Sequence, residues 1–281
     1  MHSHFEHCAA LVREADRDRY LATLFAPADK RNALFALYAF NVEIARVRDV
    51  ARESMPGEIR LQWWREVLSG ERDGEAAAHP VAAALMATLR QYGIEPERLS
   101  GIVDARIFDL YDEPMPTLDD LDNYAVMTQS ALIGIAADML DGGAGCMMLM
   151  RHAGIAATVT AVLTNLARHA ARRQLYVPLE VLERHKVNRE GIFAAQVSEP
   201  LKAALAELKR HARRQLAAAQ AEFQYAPKAI LPALLPLALT GAALRPMERR
   251  GYEPFVVTPL SPLRRQWLLW RAARNPRRIF A

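Results

Sequence analysis

Charged side chains one helical turn apart occur in the stretch "ALYAFNVEIARVRDV". Glu43, Arg46 and Asp49 are spaced three residues apart, so each lies about one turn from the next on a helix. Two adjacent carboxylates could hold a divalent cation, but here an arginine stands between them and competes for the same oxygens. The spacing therefore predicts an ion ladder on a helix surface, and Asp49 as a retained ligand contact is the alternative.

A second group with chemical potential is basic and lies in "VLTNLARHAARRQLYVP". Arg168, His169, Arg172 and Arg173 fall near the predicted end of a helix, where cations are stabilised by the helix dipole. A solvated helix end is one interpretation. The other is an anion site without metal, because the guanidinium fork matches phosphate oxygens.

The carboxylate spacing that best suits a metal ion occurs in "DARIFDLYDEP". Asp109 precedes Asp112 by three residues and Glu113 by four, so a helix would place the three on one face. A polar face ahead of a helix that ends at a proline is the alternative interpretation.

The elements that must position these residues are helices. The chain has 281 residues, 52% of them hydrophobic, and its long Ala/Leu/Arg/Glu-rich stretches have helical spacing with almost no alternating β-branched runs. We therefore predict an all-α protein, folded as a single helical bundle over residues 1–281. Breaks at proline and glycine predict helices at 4–16, 28–52, 56–69, 80–92, 96–112, 118–140, 144–171, 198–224, 228–245 and 261–273.

Composition also bears on the location of the protein. The N-terminus has no apolar signal region, and the longest apolar run, residues 229–244, is shorter than a membrane span and contains Pro232 and Pro236. Cys8 and Cys146 are far apart, as in a reducing compartment. We therefore predict no signal peptide, no transmembrane helix and a cytoplasmic protein, with peripheral contact at the inner membrane as an option. The net charge of +4 permits an anionic partner, but nucleic acid is not predicted.

The last segment, "SPLRRQWLLWRAARNPRRIFA", is strongly basic and contains no acidic residue. Leu263, Trp267 and Trp270 fall on one face of the helix predicted at 261–273. Such a face suits the headgroup boundary of an anionic membrane. It suits docking onto the rest of the bundle equally well, so both interpretations stay open.

The stretch at residues 19–49, "RYLATLFAPADKRNALFALYAFNVEIARVRD", resembles the N-terminal part of the squalene/phytoene synthase family. These enzymes are all-α isoprenoid synthases that join two prenyl diphosphates, which they bind through magnesium held by aspartate-rich motifs. The resemblance retains Tyr38 and, in the upstream diphosphate motif, Tyr20. The three aspartates of the first metal motif fall on Ala45, Arg46 and Asp49, so one carboxylate of three remains.

The second metal motif of the family resembles the basic stretch described above. Asn165, Arg168 and Tyr176 match the motif, whereas His169 replaces its first aspartate. Four stretches, "AFNVEIARVRD", "PGEIRLQWWREVL", "HPVAAAL" and "ARRQLYVP", resemble a non-canonical branch of the family. That branch contains the phytoene-synthase-like mitochondrial complex I assembly factor and also lacks the aspartate sets.

The resemblance implies a non-catalytic assembly factor, or a lipid- or prenyl-diphosphate-binding factor, linked to respiratory complex I. A respiratory-complex subunit or assembly protein, an anionic lipid or a prenyl diphosphate are the implied partners, and no cofactor is expected. The alternative is an active head-to-head prenyltransferase with a rearranged site, which would use Mg²⁺. The candidate cavity and ligand-binding residues are Tyr20, Tyr38, Asp49, Asp109, Asn165, Arg168, Arg172, Arg173 and Tyr176.

Overall fold

The computed structural model describes residues 2–51, 53–141, 145–256 and 259–280, and in these ranges the chain is helical with no β-strand. The all-α prediction is confirmed. The helices of the first half are α1 His2–Ala15, α2 Arg17–Thr23, α3 Ala28–Ala45, α4 Val47–Val50, α5 Ser54–Ser69, α6 Asp73–Ala78, α7 Pro80–Tyr92, α8 Glu97–Ala105, α9 Leu118–Ala125 and α10 Ala131–Asp141.

The second half continues with two long helices and several shorter ones. They are α11 Met147–Thr164, α12 Leu166–Ala171, α13 Leu179–Arg184, α14 Arg189–Phe193, α15 Glu199–Phe223, α16 Leu231–Leu234, α17 Leu237–Met247 and α18 Pro262–Arg274. Three-residue to five-residue 3-10 turns occupy Arg106–Leu110, Lys228–Ile230 and Pro276–Phe280, and a π-helical turn occupies Val126–Ser130.

The described contacts group the chain into two compact units. The first comprises residues 1–111, 131–146 and 227–236, and the second comprises residues 112–130, 147–226 and 237–281. The first unit is built around α3, in which 11 of 18 residues are buried, so this helix has no wide polar face. Helices α1 and α7 pack against α3 and against each other.

The second unit is built around α11, which packs along α15. Buried apolar residues recur every three or four positions on α15, as in Leu201, Leu205, Leu208 and Leu216, and its remaining face is charged. Ser198 caps the first turn of α15, because its hydroxyl accepts a hydrogen bond from the amide of Leu201. These interactions hold the longest helix of the chain against the buried helix α11.

Local sequence signals explain several helix boundaries. Thr117 accepts a hydrogen bond from the amide of Asp120 at 3.0 Å, and the Asp120 carboxylate accepts one from the amide of Thr117 at 3.1 Å. This reciprocal pair is a capping box, which the three-residue spacing of Thr117 and Asp120 in "PTLDD" predicts. By contrast, the helix predicted at 28–52 ends at Ala45, because Arg46 leaves the helical conformation with φ −93° and ψ 0°.

One described helix has the length and apolar composition of a membrane span. This helix is α11, and 61% of its residues are buried inside the protein. Lys228–Leu234 and Leu237–Met247 reach the same threshold only if they are taken together as one broken span. Burial on this scale is typical of a core helix, so neither segment is strong evidence for a span.

Candidate functional site

A buried polar group in the first unit contains two of the predicted site residues. We call it the Arg19 cluster and define it as Asp16, Arg19, Tyr38, Arg106 and Asp109. Asp16 precedes α2 and caps it, accepting a hydrogen bond from the amide of Arg19 at 3.1 Å. The same carboxylate forms an ion pair with the Arg19 guanidinium at 2.5 Å, and both side chains are less than one-fifth exposed.

Electrostatics fix the charge states in the Arg19 cluster. Burial alone would lower the pKa of Arg19, but the interactions with Asp16 and Tyr38 outweigh this effect. The pKa of Arg19 is therefore raised, despite the opposing charge of Arg106. The guanidinium lies 5.5 Å from the centroid of the Tyr38 ring. Burial raises the pKa of Tyr38 to about 12, so its phenol is neutral.

Asp109 belongs to the same cluster through Arg106. The two side chains form an ion pair at 3.1 Å and are each about one-tenth exposed. The helix ends after Leu110, because Tyr111 is extended with φ −105° and ψ 152°. Asp112 and Glu113 therefore do not continue the helical face of Asp109, and the predicted metal-ligand spacing is not formed.

Tyr20 and Asp49 were also predicted as site residues. Tyr20 stacks on Phe35 with ring centroids 5.4 Å apart and an interplanar angle of 23°. Asp49 is exposed on the short helix α4. The predicted ion pair between Glu43 and Arg46 is also wrong. Glu43 lies 3.7 Å from His79 and has no described ion pair with Arg46.

The basic group in the second unit surrounds His169. Asn165 interrupts the helical path between α11 and α12, and its side-chain amide donates to the carbonyl of Ala161 at 2.8 Å. The His169 ring lies 4.6 Å from the Tyr176 ring, and Tyr176 lies 6.2 Å from Tyr124. Residues 165–176 contain five of the predicted site residues in one short segment, namely Asn165, Arg168, Arg172, Arg173 and Tyr176.

His169 is neutral at physiological pH for a local reason. Burial lowers its pKa to about 4, with further lowering by Arg168 and Arg172, whose side chains are exposed. Its buried Nδ1 has no hydrogen-bond partner among the described residues. The exposed guanidinium groups make this helix end positive, in agreement with the predicted solvated basic end and with an anion site.

Arg173 has a different role from its two neighbours. Its backbone is left-handed with φ 55°, which costs free energy in a residue other than glycine. Its guanidinium donates to the Glu190 carboxylate at 2.8 Å and lies 4.5 Å from the Phe193 ring centroid. These contacts hold the turn after α12, so Arg173 is engaged within the protein.

The resemblance assigns the first aspartate motif, whose carboxylates would bind magnesium, to three positions of this chain. Ala45 offers no ligand oxygen, Arg46 is an exposed cation, and Asp49 is exposed. No group of three or more His, Cys, Asp or Glu side chains suited to a metal ion occurs in the described ranges. The described residues do not fit a magnesium cluster of the family's kind.

The C-terminal helix was predicted at 261–273 and is observed as α18. Leu269 and Ala272 face the interior, whereas Leu263, Trp267 and Trp270 are 78%, 50% and 47% exposed. Leu263 is therefore largely exposed, whereas about half of each tryptophan is covered by the protein. Arg271 and Arg274 lie 4.8 and 4.9 Å from the centroids of the Trp267 and Trp270 rings.

Arg19 and Arg106, the two arginines of the Arg19 cluster, were not predicted as site residues. The signal for Arg19 was present, since Asp16 precedes it by three residues at the start of a helix. Arg106 likewise precedes Asp109 by three residues. Nothing in the sequence, however, indicated that these side chains are buried together, because their proximity depends on the packing of three separate segments.

The chain is similar in sequence to several known proteins. The sequence model for squalene/phytoene synthase matches residues 12–271. "NADH dehydrogenase (ubiquinone) complex I, assembly factor 6" of Homo sapiens is 27% identical over 256 residues, covering 89% of this chain and 75% of that protein. The "15-cis-phytoene synthase" of Synechocystis sp. is 25% identical over 204 residues, covering 67% and 60%.

Solved structures agree with the predicted fold. A dehydrosqualene synthase superposes with a TM-score of 0.82 at 16% identity, covering 97% of this chain and 96% of that one. A squalene synthase from Alicyclobacillus acidocaldarius gives a TM-score of 0.78 at 21% identity, covering 90% and 96%. The prediction of an isoprenoid-synthase type of fold is confirmed.

Proposed function

The chain belongs to the squalene/phytoene synthase family, and within that family we propose that it is a non-catalytic assembly factor for a complex I-type respiratory NADH dehydrogenase. The observation that carries this proposal is the similarity to complex I assembly factor 6 over 89% of the chain. The same similarity extends to the proteins of Bos taurus and Mus musculus. The proposed partner is a subunit of that respiratory complex or another assembly protein.

The geometry of the Arg19 cluster supports the non-catalytic part of the proposal. Ionisation of a prenyl diphosphate requires several kcal/mol of charge stabilisation, which metal ions commonly supply. Asp109 is buried and its charge is compensated by Arg106, which supports a role for this carboxylate other than metal binding. Arginines can bind a diphosphate in the ground state, but binding of that kind does not lower the barrier to its departure.

The assembly role is tested by deleting the gene in the source organism. We expect membranes of the deletion strain to lose most of their complex I-type NADH:quinone oxidoreductase activity. We also expect them to lose most of the assembled complex that native gels detect. The wild-type gene restores both. The Asp49→Ala variant restores them equally, because Asp49 has no catalytic duty under this proposal. Unchanged activity and assembly in the deletion strain would refute the role.

The prenyltransferase alternative is tested with purified protein. Incubation with farnesyl or geranylgeranyl diphosphate and Mg²⁺ is expected to yield no head-to-head product. Binding of the diphosphate without turnover, weakened by Arg168→Ala, is the result expected if the positive helix end keeps an anion site. A product that disappears in the Asp49→Ala variant would establish an active enzyme instead.

We further propose that α18 attaches the protein to an anionic membrane surface. Its exposed Leu263, Trp267 and Trp270 would enter the headgroup boundary, where the amphipathic indole ring is favoured. Arg264 and Arg274 are exposed on the same helix, and Arg277 and Arg278 are exposed in the turn that follows it. Cations at these positions are attracted to anionic lipid by about 1 kcal/mol each near the surface.

Flotation with vesicles tests this attachment. We expect the wild-type protein to float with vesicles of phosphatidylglycerol and phosphatidylcholine, and several-fold less with phosphatidylcholine alone or at high salt. The double variant Trp267→Ala/Trp270→Ala is expected to lose most of the bound fraction. Tyr225→Ala is the control, because Tyr225 is an aromatic residue that is 78% exposed elsewhere in the same unit. Equal flotation of the double variant and the wild type would exclude the helix as the attachment site.

A further inference from the structure

A groove in the first unit lies apart from every site residue discussed above except Glu43 and Arg46. We call it the α5 groove. It has a volume of about 470 Å³ and lies among α1, α3, α4, α5 and the start of α7. Neither Tyr38 nor Asp109 lines it, so the groove is distinct from the Arg19 cluster. Its volume is within the range of sites that take small molecules.

The inner wall of the α5 groove is apolar and aromatic. Trp63 and Trp64 pack edge to face with ring centroids 5.1 Å apart, and Trp64 lies 5.8 Å from the His79 ring. Val42 and Val47 continue this wall from α3 and α4. Trp64 is 3% exposed and supports Trp63 from behind, so the wall is already formed; the apolar surface that a chain can reach is that of the half-buried Trp63 and of Val50, which is 55% exposed.

The rim of the α5 groove is positively charged. Arg46 and Arg60 both line it and both are exposed, and neither has an ion-pair partner among the residues that the structure describes. Glu43 is the single acidic residue among the lining residues. Two unpaired guanidinium groups beside one carboxyl group favour an anionic head over a cationic one.

Several groups face the Glu43 carboxyl group from the surrounding helices. Cys8 approaches from α1, Arg60 from α5, and His79 from the start of α7, with His7 beyond it. Burial raises the pKa of Glu43 to about 7, although Arg60 acts in the opposite direction. Burial raises the pKa of Cys8 to about 12 and lowers that of His79, so these two groups stay neutral around pH 7.

We propose that the α5 groove binds an amphiphilic anion, meaning a single hydrocarbon chain with one carboxylate or phosphate head. The head lies toward Arg46 and Arg60, and the chain lies against Trp63, Trp64 and the valines. This site does not depend on the assembly role proposed above. It differs from a prenyl diphosphate site in its position and in requiring no metal ion.

The state of Glu43 makes the expected binding dependent on pH. Below its pKa the carboxyl group is neutral and can donate a hydrogen bond to an anionic head. Above that pKa it carries a negative charge that repels the head. Affinity is therefore expected to fall as the pH rises through about 7, the pKa of this group.

Calorimetric titration with dodecyl phosphate, dodecanoate and dodecyltrimethylammonium tests the site, each below its critical micelle concentration. The wild-type protein is expected to bind the two anions and to bind the cation at least tenfold more weakly, on the order expected for charge-assisted contacts. The Arg46→Ala/Arg60→Ala variant is expected to lose about tenfold or more in affinity for both anions. Arg249→Ala/Arg250→Ala is the matched control, because it removes two exposed arginines from the other unit.

The Glu43→Gln variant tests the pH dependence. It is expected to bind dodecanoate, which stays a monoanion across this range, equally well at about pH 6 and about pH 8, whereas the wild-type protein binds more weakly at the higher pH. The proposal is overturned if the cation binds as tightly as the anions, or if the Arg46→Ala/Arg60→Ala variant binds like the wild type. Equal weakening by the control pair would also overturn it, because the attraction would then be a property of the whole surface. Circular dichroism establishes that each variant is folded.

Discussion

Replacing Asp16 with asparagine is expected to lower the free energy of unfolding by about 3 kcal/mol. Asparagine keeps the cap of α2 but removes the charge that balances Arg19. Removal of one partner from a buried ion pair leaves the other charge without compensation, which costs about 3–5 kcal/mol. We place the effect at the lower limit because each side chain is still about one-sixth to one-fifth exposed. Urea unfolding monitored by circular dichroism measures it.

A double-mutant cycle separates the ion pair from the cap. Arg19→Met keeps a long apolar stem while removing the guanidinium, and the Asp16→Asn/Arg19→Met variant is expected to lose less stability than the sum of the two single changes. Asp16→Ala removes the cap as well and is expected to cost about 1 kcal/mol more than Asp16→Asn. A loss below about 1 kcal/mol for Asp16→Asn would show that the pair is solvated, as surface pairs are.

Replacing Gly154 with alanine is expected to lower the free energy of unfolding by about 2 kcal/mol. A Cβ atom at this position would contact the Oγ and amide nitrogen of Ser130 and would lie 2.7 Å from its Cα atom. The clash is with backbone, which cannot rotate away, so overpacking costs about 3 kcal/mol. The better helix propensity of alanine returns about 1 kcal/mol of this.

Gly134→Ala is the matched control for this prediction. Gly134 also lies inside a helix, α10, but a Cβ atom there would have no other heavy atom within 4 Å. The control is therefore expected to stabilise the protein by about 1 kcal/mol. If the urea midpoint shifts in the same direction for both variants, α11 does not pack closely against Ser130 and the prediction for Gly154→Ala is contradicted.

The Arg19 cluster and the α5 groove have opposite consequences for ligand binding. In the Arg19 cluster each arginine has a described carboxylate partner, so its charges are largely balanced within the protein. In the α5 groove, the exposed Arg46 and Arg60 lie beside Glu43, a carboxyl group whose pKa is raised to about 7. Positive potential that is not balanced internally is the part available to an anionic partner.

Most of the fold could be predicted from the sequence, because helix periodicity and helix ends are local properties. The apolar repeat, the Thr117 capping box and the proline and glycine breaks identified the long helices to within a few residues. The short helices α2, α6, α13 and α14 were not predicted. A helix of four to seven residues has too few turns to show a period and is held by tertiary contacts.

The candidate site was less predictable. The sequence placed Tyr38, Asp109, Arg168 and Tyr176 among the site residues, but it could not state which of them are buried or paired. The predicted ladder of Glu43, Arg46 and Asp49 failed because the helix ends at Ala45 and because Glu43 lies beside His79, a residue distant in sequence. Side-chain spacing predicts contacts only while the helix continues.

The sequence by itself determined that this chain is helical and where its main helices lie. The tertiary structure alone decided that Asp16 neutralises Arg19, that α18 presents its tryptophans outward, and that Arg46 and Arg60 meet at one groove. The physical reason is the range of the forces. Helix formation depends on residues within about one turn of each other, whereas burial and charge pairing depend on segments that meet only when the chain has folded.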